Sequence, residues 1–427
     1  MPVADTTKGI IKRSRAKVFR RLSFRRRDND GEYETAWQDI PNRYIKKWGK
    51  VSHGVQSDVT ANFFKYSGLN IELSNQDGFF NDVNDVRSFF SGKLSIYRTL
   101  VRVQAGYIDD DGNELPTMPS LYFGIIGEGI NRQDNGVINL ETHHISKIFD
   151  EFNCANIKNL GVTQTASDII TKIRNHTDDN SVAIFQKYIT NWNIQSTTLN
   201  YDIATTTQLE GNSCWRIMRK LAEAEDRLLF INPDGEFVFQ TKAQPSTSSW
   251  HFSGSNDTDL SFGKNIIGKI SVSEKIKNVF NRVRIRFAAD NTTGSFKIKE
   301  EDWNWADNSS SFLYGVRTYE YANEWLNSTS ASTVADAIFD KFRLPIEQVK
   351  ITSKFLPGIE IRDMVDITHK TGVGTRVGDR YGQSLYGSAI FGQYSRGSIE
   401  LSEKRYLITN ISHDIDKFTT ILTMDAV

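Results

Sequence analysis

Few residues in this chain combine the types and spacing that metal binding requires. His143 and His144 form the single adjacent histidine pair, but adjacent side chains diverge on a helix or a strand. No cysteine or further histidine stands beside them at ligand spacing, which argues against zinc. Asp109–Glu114 is as acidic as a calcium loop, but Gly112 stands at the wrong position for an EF-hand, and a hairpin turn is preferred. The sequence predicts no bound metal and no cofactor.

Motifs for nucleotide binding and hydrolysis are also scarce. The chain has no GxxxxGK[ST], HExxH or GxSxG motif, and Phe123–Gly129 reverses the glycine spacing of the dinucleotide fingerprint. Gly211–Trp215 opens a predicted helix, and His369 follows at about the interval of papain-like proteases. The first glycine–cysteine pair of that signature is missing, however, and Trp215 lies on the apolar face. We therefore predict that the chain is not an enzyme.

The elements that would position these residues belong to a large folded protein. A chain of 427 residues exceeds one ordinary hydrophobic core, so two to four domains are expected. Aromatic residues make up 11% of the chain, which favours sheet. Cys154 and Cys214 can pair at most once, which excludes a disulfide framework and fits an origin inside a reducing cell. Neither a signal peptide nor stable membrane insertion is expected.

The charge of the chain is unevenly distributed. Residues 1–27 hold ten of the 52 basic residues and one of the 52 acidic residues, which leaves a net charge of −9 on the remainder. This basic arm has three interpretations: a contact with the phosphates of a nucleic acid, a membrane-surface helix, or a strand that docks on an acidic neighbouring subunit. Its period-two pattern favours docking. We predict partner contacts at four arginines: Arg20, Arg21, Arg25 and Arg27.

Period-two alternation dominates the sequence and predicts a mainly β fold. Two antiparallel β-barrels are expected, with a small α/β domain between them. The predicted domains are 1–150 with an N-terminal hairpin, 151–262, and 263–427 with a helix at 333–342 and a loop at 371–402. Helical patterns are also predicted at His143–Phe152, Thr165–Asn175 and Cys214–Asp226, and residues 244–261 read as a linker.

The stretch Gly378–Ser398 repeats an aromatic–glycine pattern about every five residues, a period that fits neither helix nor strand. Successive turns with projecting rings would explain it. It is either a surface loop without a partner or a contact loop whose rings anchor one. The candidate contact residues are Tyr381, Tyr386, Phe391 and Tyr394.

The stretch Tyr33–Leu100 resembles the N-terminal domain of bacteriophage tail-tip and baseplate hub proteins. The resemblance rests on a W-x-D-I segment, an L-x-L-x-N-x-D-G-x-F turn, an R-x-x-G strand and a hydrophobic–F-x-G strand. Their counterparts here are Trp37–Ile40, Leu69–Phe80, Arg102–Gly106 and Tyr122–Gly124. The third is one residue longer than the family spacing, and in the last the glycine directly follows the phenylalanine. Cys214–Gln240 and Leu356–Thr368 resemble later domains of the hub.

The resemblance implies a structural virion protein, made in the bacterial cytoplasm, that forms a homotrimeric ring continuing the tail tube. Each subunit would carry two antiparallel β-barrels that resemble the tail-tube fold, so three chains would match a sixfold tube. The implied neighbours are a distal tail or tail-tube protein, the tape-measure protein, and a tip, spike or fibre protein, with viral DNA passing through the lumen. A receptor-binding or adhesion subunit is the alternative, and a tail enzyme that degrades the cell envelope is a weaker one.

Overall fold

The computed structural model describes residues 16–55, 64–115, 120–132, 135–154, 157, 163–177, 183–202, 211–242, 247–253, 270–287, 295–300, 310–323, 325–326, 328–370 and 400–427. The strands of the first third are β1 (Lys17–Arg25), β2 (Gln38–Ile40), β3 (Ile45–Lys47), β4 (Lys50–Val55), β5 (Phe64–Tyr66), β6 (Leu69–Ser74), β7 (Leu100–Ile108), β8 (Glu114–Leu115), β9 (Ser120–Arg132) and β10 (Val137–His144). The middle contains α1 (Lys147–Glu151), β11 (Thr163–Thr165), α2 (Ala166–Arg174), β12 (Asn191–Ile194), β13 (Asn200–Asp202), α3 (Cys214–Ala224), β14 (Arg227–Ile231), β15 (Glu236–Thr241) and β16 (Trp250–Ser253). The last part contains β17 (Ser271–Glu274), β18 (Arg282–Phe287), β19 (Ser295–Glu300), α4 (Ser310–Tyr314), β20 (Thr318–Asn323), α5 (Ser328–Phe342), β21 (Glu347–Lys354), β22 (Met364–Lys370), β23 (Glu400–Asp414) and β24 (Thr419–Ala426).

The N-terminal sheet has the strand order β2-β1-β7-β9-β10-β6-β3, and β8 pairs with β7. Its two end strands, β2 and β3, follow each other in the chain and are joined across only Pro41–Tyr44. Six strand spacings would separate them by about 29 Å in a flat sheet. The five residue-to-residue steps from Ile40 to Ile45 span about 17 Å at most. The sheet must therefore curl until its ends are neighbours.

The C-terminal sheet has the order β16-β22-β23-β24-β21-β17. It also takes in β4 and β5 from the first third of the chain: β4 pairs antiparallel with β23, with Gly54 opposite Asn410 and Lys50 opposite Asp414. Both large sheets thus contain N-terminal strands. The prediction of a mainly β protein is confirmed, and the predicted boundaries at residues 150 and 262 remain a prediction.

Buried side chains form two cores. The shared core joins the two large sheets and includes Leu22 and Val103 from one and Ile351 and Ile411 from the other. The middle core gathers α1, α2, α3 and α5 with two three-stranded sheets, β12-β15-β14 and β19-β18-β20. Strand β18, predicted within the C-terminal barrel region, forms as expected but packs its Val283 and Ile285 in the middle core.

Three of the predicted helices form within a few residues of their expected ends. α2 begins at a capping box in which Thr165 and Asp168 bond reciprocally. The Ser213 hydroxyl caps α3 by accepting a hydrogen bond from the Arg216 backbone N–H. α5 covers the predicted helix at 333–342 and begins earlier, at Ser328.

Two local predictions were wrong. His143 and His144 end strand β10, opposite Ile125 and Gly124 of β9, so the helix expected from His143 begins only at Lys147. The expected linker at 244–261 contains strand β16, which pairs in parallel with β22. Its abundant Ser, Thr, Asn and Asp concealed the alternation of Trp250 and Phe252, both buried in the shared core.

Candidate functional site

The contact between the two large sheets, here called the seam, holds them in a fixed relation. Tyr107 of the N-terminal sheet donates its hydroxyl to the Phe355 carbonyl at 2.6 Å, and both residues are buried. Burial raises the pKa of Tyr107, so the hydroxyl keeps its proton and remains a donor. Within the C-terminal sheet, the hydroxyls of Ser52 on β4 and Ser412 on β23 lie 2.7 Å apart. A side-chain bond between the sheets and strand pairing within one of them thus hold this region together.

Arg20, one of the predicted partner contacts, lies at the rim of the seam. Its guanidinium is 3.8 Å from the Asp416 carboxylate and within 5.4 Å of the ring centroids of Trp48 and Phe418. The same carboxylate accepts hydrogen bonds from the backbone N–H groups of Trp48 and Gly49 at 3.2 and 3.3 Å. Asp416 therefore connects strand β1, the β3–β4 corner and the hairpin between β23 and β24.

Two further arginines of the arm have partners within the chain. Arg21 bonds Glu114 at 2.7 Å and approaches Asp39 at 3.2 Å. Arg25 donates from Nε to the backbone carbonyl of Glu34. Strand β1 pairs with β7 on one side and β2 on the other, so both of its edges are used over Leu22–Phe24. A strand docked on another subunit at this position would have to displace one of these neighbours.

The turn after β1 carries a compact ion network. Arg26 and Lys93 bond the Glu34 carboxylate at 2.6 and 2.8 Å. Burial alone would raise the pKa of Glu34, but these two hydrogen bonds outweigh it and hold the pKa below its ordinary value. Arg27, the last of the four predicted arginine contacts, lies over the ring of Tyr33 at 5.9 Å. The alternation in the arm also predicts that Glu32 and Glu34 lie opposite Arg25 and Arg27, but in the structure Glu34 forms its ion pair with Arg26, and Glu32 forms its own with Lys187.

Four other predicted contact residues, Tyr381, Tyr386, Phe391 and Tyr394, lie outside the described residues, as does most of the predicted loop at 371–402. A partner contact at these positions, and at the four arginines, remains a prediction.

The candidate protease residues are not brought together. Cys214 lies in the middle core, whereas His369 belongs to strand β22 of the C-terminal sheet. A hydrogen bond with Cys154 and burial both raise the pKa of the Cys214 thiol, which disfavours the nucleophilic thiolate. Both cysteines are free and buried. In the described part of the chain, no three His, Cys, Asp or Glu side chains are placed to hold a metal ion.

Gly124 of the glycine-rich stretch lies inside strand β9. A Cβ at this position would lie 2.3 Å from the His143 carbonyl oxygen and 2.5 Å from the Tyr122 hydroxyl. The glycine therefore permits close packing in the sheet, as expected when a strand glycine marks close approach. Among the described residues, no helix has the length and apolarity needed to cross a membrane.

Several seam residues were missed from the sequence: Trp48, His53, Tyr107, Phe355 and Asp416. One signal was available, since His53 follows buried Val51, and His413 follows buried Ile411, on the same face of their strands. The alternation could have indicated that these histidines are buried, but it could not show that they meet.

The comparisons with known proteins find a similar fold but no matching sequence family. No protein-family profile and no curated protein matches the sequence. The tail protein from Neisseria meningitidis MC58 superposes with a TM-score of 0.50 at 12% identity, covering 95% of this chain and 96% of that chain. The 43 kDa tail protein of prophage MuSo2 from Shewanella oneidensis gives a TM-score of 0.48 at 9% identity, with 96% and 98% coverage. The prophage tail protein gp18 from Listeria monocytogenes EGD-e gives 0.47 at 9% identity, with 95% and 94% coverage. This chain therefore has the fold of the Neisseria meningitidis tail protein, and the predicted resemblance to phage tail proteins is confirmed at the level of the fold.

Proposed function

We propose that this chain is a structural subunit of a phage tail tip or baseplate, a hub whose ring continues the tail tube and connects it to tip or spike proteins. The observation that carries the proposal is a fold similarity to a tail protein that spans nearly the whole of both chains. Fold alone does not determine function, so the physical requirements of the role matter as well.

A ring subunit must behave as one stiff body. The two large sheets share a core and are bonded across the seam, and the C-terminal sheet includes β4 and β5 from the first third of the chain, which supports that requirement. Three such chains would place six large sheets around a lumen, which matches a sixfold tube. Opening for DNA ejection would be a change of packing between subunits, with no bond made or broken by this chain.

The implied partners are a distal tail or tail-tube protein, the tape-measure protein, and a tip, spike or fibre protein. We place their contacts at exposed edges of the ring and at the aromatic–glycine repeat. The proposed location is the tail tip of the virion.

Light scattering coupled to size exclusion tests the ring. The purified chain, alone and mixed with its tail-tube protein, is expected to be present as an assembly of about three times 48.6 kDa. Negative staining should show a ring with a central hole. A strictly monomeric mass at high concentration in both samples would refute the hub.

A variant set tests the predicted contact loop. Replacing its four aromatic residues by serine should abolish capture of tip or tube protein and leave the thermal midpoint unchanged; the four are Tyr381, Tyr386, Phe391 and Tyr394. Tyr97→Ser, at an aromatic side chain that is 38% exposed elsewhere, is the matched control and should retain capture. Equal capture by both variants would remove the loop from the interface. Specific binding of carbohydrate by this loop would favour the adhesion subunit instead.

A further inference from the structure

Three histidines from three different strands converge in the seam. The ring of His53 on β4 lies 5.7 Å from that of His413 on β23 and 5.2 Å from that of Tyr66 on β5. The other side of this contact is His144 of β10, in the N-terminal sheet, whose ring stacks on Tyr66 at 4.4 Å. The cluster thus bridges the two large sheets through one tyrosine ring.

The surroundings of the cluster accommodate only neutral rings. His53 Nδ1 is buried without a hydrogen-bond partner. The bonds of the other two rings are to uncharged groups. His413 Nδ1 bonds the Thr420 hydroxyl at 3.0 Å, and His144 Nδ1 bonds the Ser146 hydroxyl at 2.9 Å and accepts from the Ser146 backbone N–H at 3.3 Å. In the described part of the chain, no carboxylate lies within ion-pair distance of these rings.

The charged groups on the neighbouring elements are directed elsewhere. Lys50 of β4 pairs with Asp414 of β23 at 3.5 Å. Glu360, after β21, acts on the hydroxyl of Tyr66 and raises its pKa together with burial, which is the larger cause. On β14, the group that bonds His144 is the uncharged backbone carbonyl of Ile231, which raises the pKa of the ring against the larger, opposite effect of burial.

Burial is the main cause that lowers the pKa of all three rings, to about 4 for His53, to about 3 for His144 and well below the ordinary value for His413. The charge of a protonated His53 would lower the pKa of the other two further. In the unfolded chain a histidine binds its proton near pH 6.5. Below that pH the unfolded state binds more protons than the folded state, so stability is complete above about pH 6.5 and falls as the pH drops towards 4.

We propose that His53, His144 and His413 form an acid-sensitive lock between the two large sheets: neutral rings hold the seam closed, and protonation loosens it. A charge on any one ring would lie within a dry aromatic contact and beside two other rings that acquire the same charge. The strand pairs β4–β5 and β4–β23 are the elements that such repulsion would separate from β10. This inference rests on the fold and does not depend on the proposed role in a virus tail.

Urea unfolding of the full chain at pH 8 and pH 5 tests the lock. Each histidine that must stay neutral in the folded state should increase the unfolding equilibrium constant by about 30-fold between these pH values. His53→Phe and His144→Phe keep a ring in place and should each remove about 30-fold of this pH effect. If one variant fails to fold, the other still decides the result. Retention of the full wild-type pH effect in the folded variants would overturn the proposal.

A control separates titration from packing. Phe355→Leu alters a ring that lies 5.5 Å from His413 and does not titrate, so it should weaken the protein equally at both pH values. Hydrogen exchange locates the effect. At pH 5, the amide exchange rates of β4 and of α2 are each compared with those in the Phe355→Leu and His53→Phe variants. The acceleration relative to these references should be larger for β4 than for α2. Equal acid sensitivity of β4 and α2 would mean that acid acts globally, and the lock would be rejected. A monomeric result in the ring experiment would leave this test unaffected.

Discussion

The shared core and the middle core bury similar side chains but are assembled over different distances in sequence. In the shared core, the hydroxyls of Ser52 and Ser412 meet across 360 positions, and Arg20 reaches the Ile415 carbonyl across 395. In the middle core, Phe149 stacks on Phe185 at 4.6 Å and contacts Trp215 at 6.0 Å. Closing a long loop costs more entropy and delays contact formation. We infer that the part of the middle core around Phe149 can form early, whereas the seam closes last.

The largest test of this difference is Phe149→Ala. Phe149 is buried against several rings of the middle core, and its truncation should cost about 3–5 kcal/mol of unfolding free energy. Hydrogen exchange should accelerate in α2 and α3 and change little in β7 and β23. Phe312→Ala, at a side chain that is 37% exposed, is the control and should stay within about 0.5 kcal/mol of the parent. Equal acceleration of hydrogen exchange in both cores would show that they unfold as one cooperative unit, which would contradict the proposed difference between them.

A matched pair of tyrosines tests the same difference between the shared core and the middle core. Tyr107 donates to the Phe355 carbonyl in the seam, and Tyr33 donates to the Arg98 carbonyl beside the middle core at 2.7 Å. Phenylalanine at either position leaves a partly or fully buried carbonyl without its donor, at a cost of about 1–3 kcal/mol. Denaturation with exchange readout should localise the loss to the seam for Tyr107→Phe and to the middle core for Tyr33→Phe. The distinction fails if both variants loosen the same strands.

The smallest expected effect is at the rim of the seam. The Arg20 and Asp416 side chains are each about one third exposed, 36% and 35%, so Arg20→Met should cost less than about 1 kcal/mol. The loss should shrink at high salt because exposed charges are screened, and Trp48 emission should shift because the guanidinium leaves its ring. Lys299→Met, which breaks an exposed pair with Asp336 in the middle region, should cost a similar amount without a shift in emission. A loss of several kcal/mol for Arg20→Met would mean that the seam depends on this ion pair.

Much of the local structure could be predicted because its causes are local. The capping box at Thr165, the N-cap at Ser213 and the hairpin of β14 and β15 each depend on residues a few positions apart. The errors have a shared cause as well. His143 and His144 extend β10, and Trp250 forms a strand, because partner strands accept them, and a partner strand is not part of the local pattern.

The candidate site was predictable only in part. The four arginines of the arm were recognised as an unusual group, and their alternation placed β1 correctly. Their carboxylate partners were not identifiable beyond Glu34, since Glu114 and Asp416 are distant in sequence from Arg21 and Arg20. With 52 acidic residues in the chain, charge alone could not select them.

By itself, the sequence determined the β character of the chain and the approximate positions of its helices. Those properties follow from side chains and backbone bonding within a few residues. Tertiary structure alone decided that β4 joins the C-terminal sheet, that Asp416 lies under Arg20, and that three histidines share one dry contact. The side chains of a strand alternate with a period of two, and this pattern does not identify which distant strand will be the partner. Register and partner are therefore decided by the burial of whole faces.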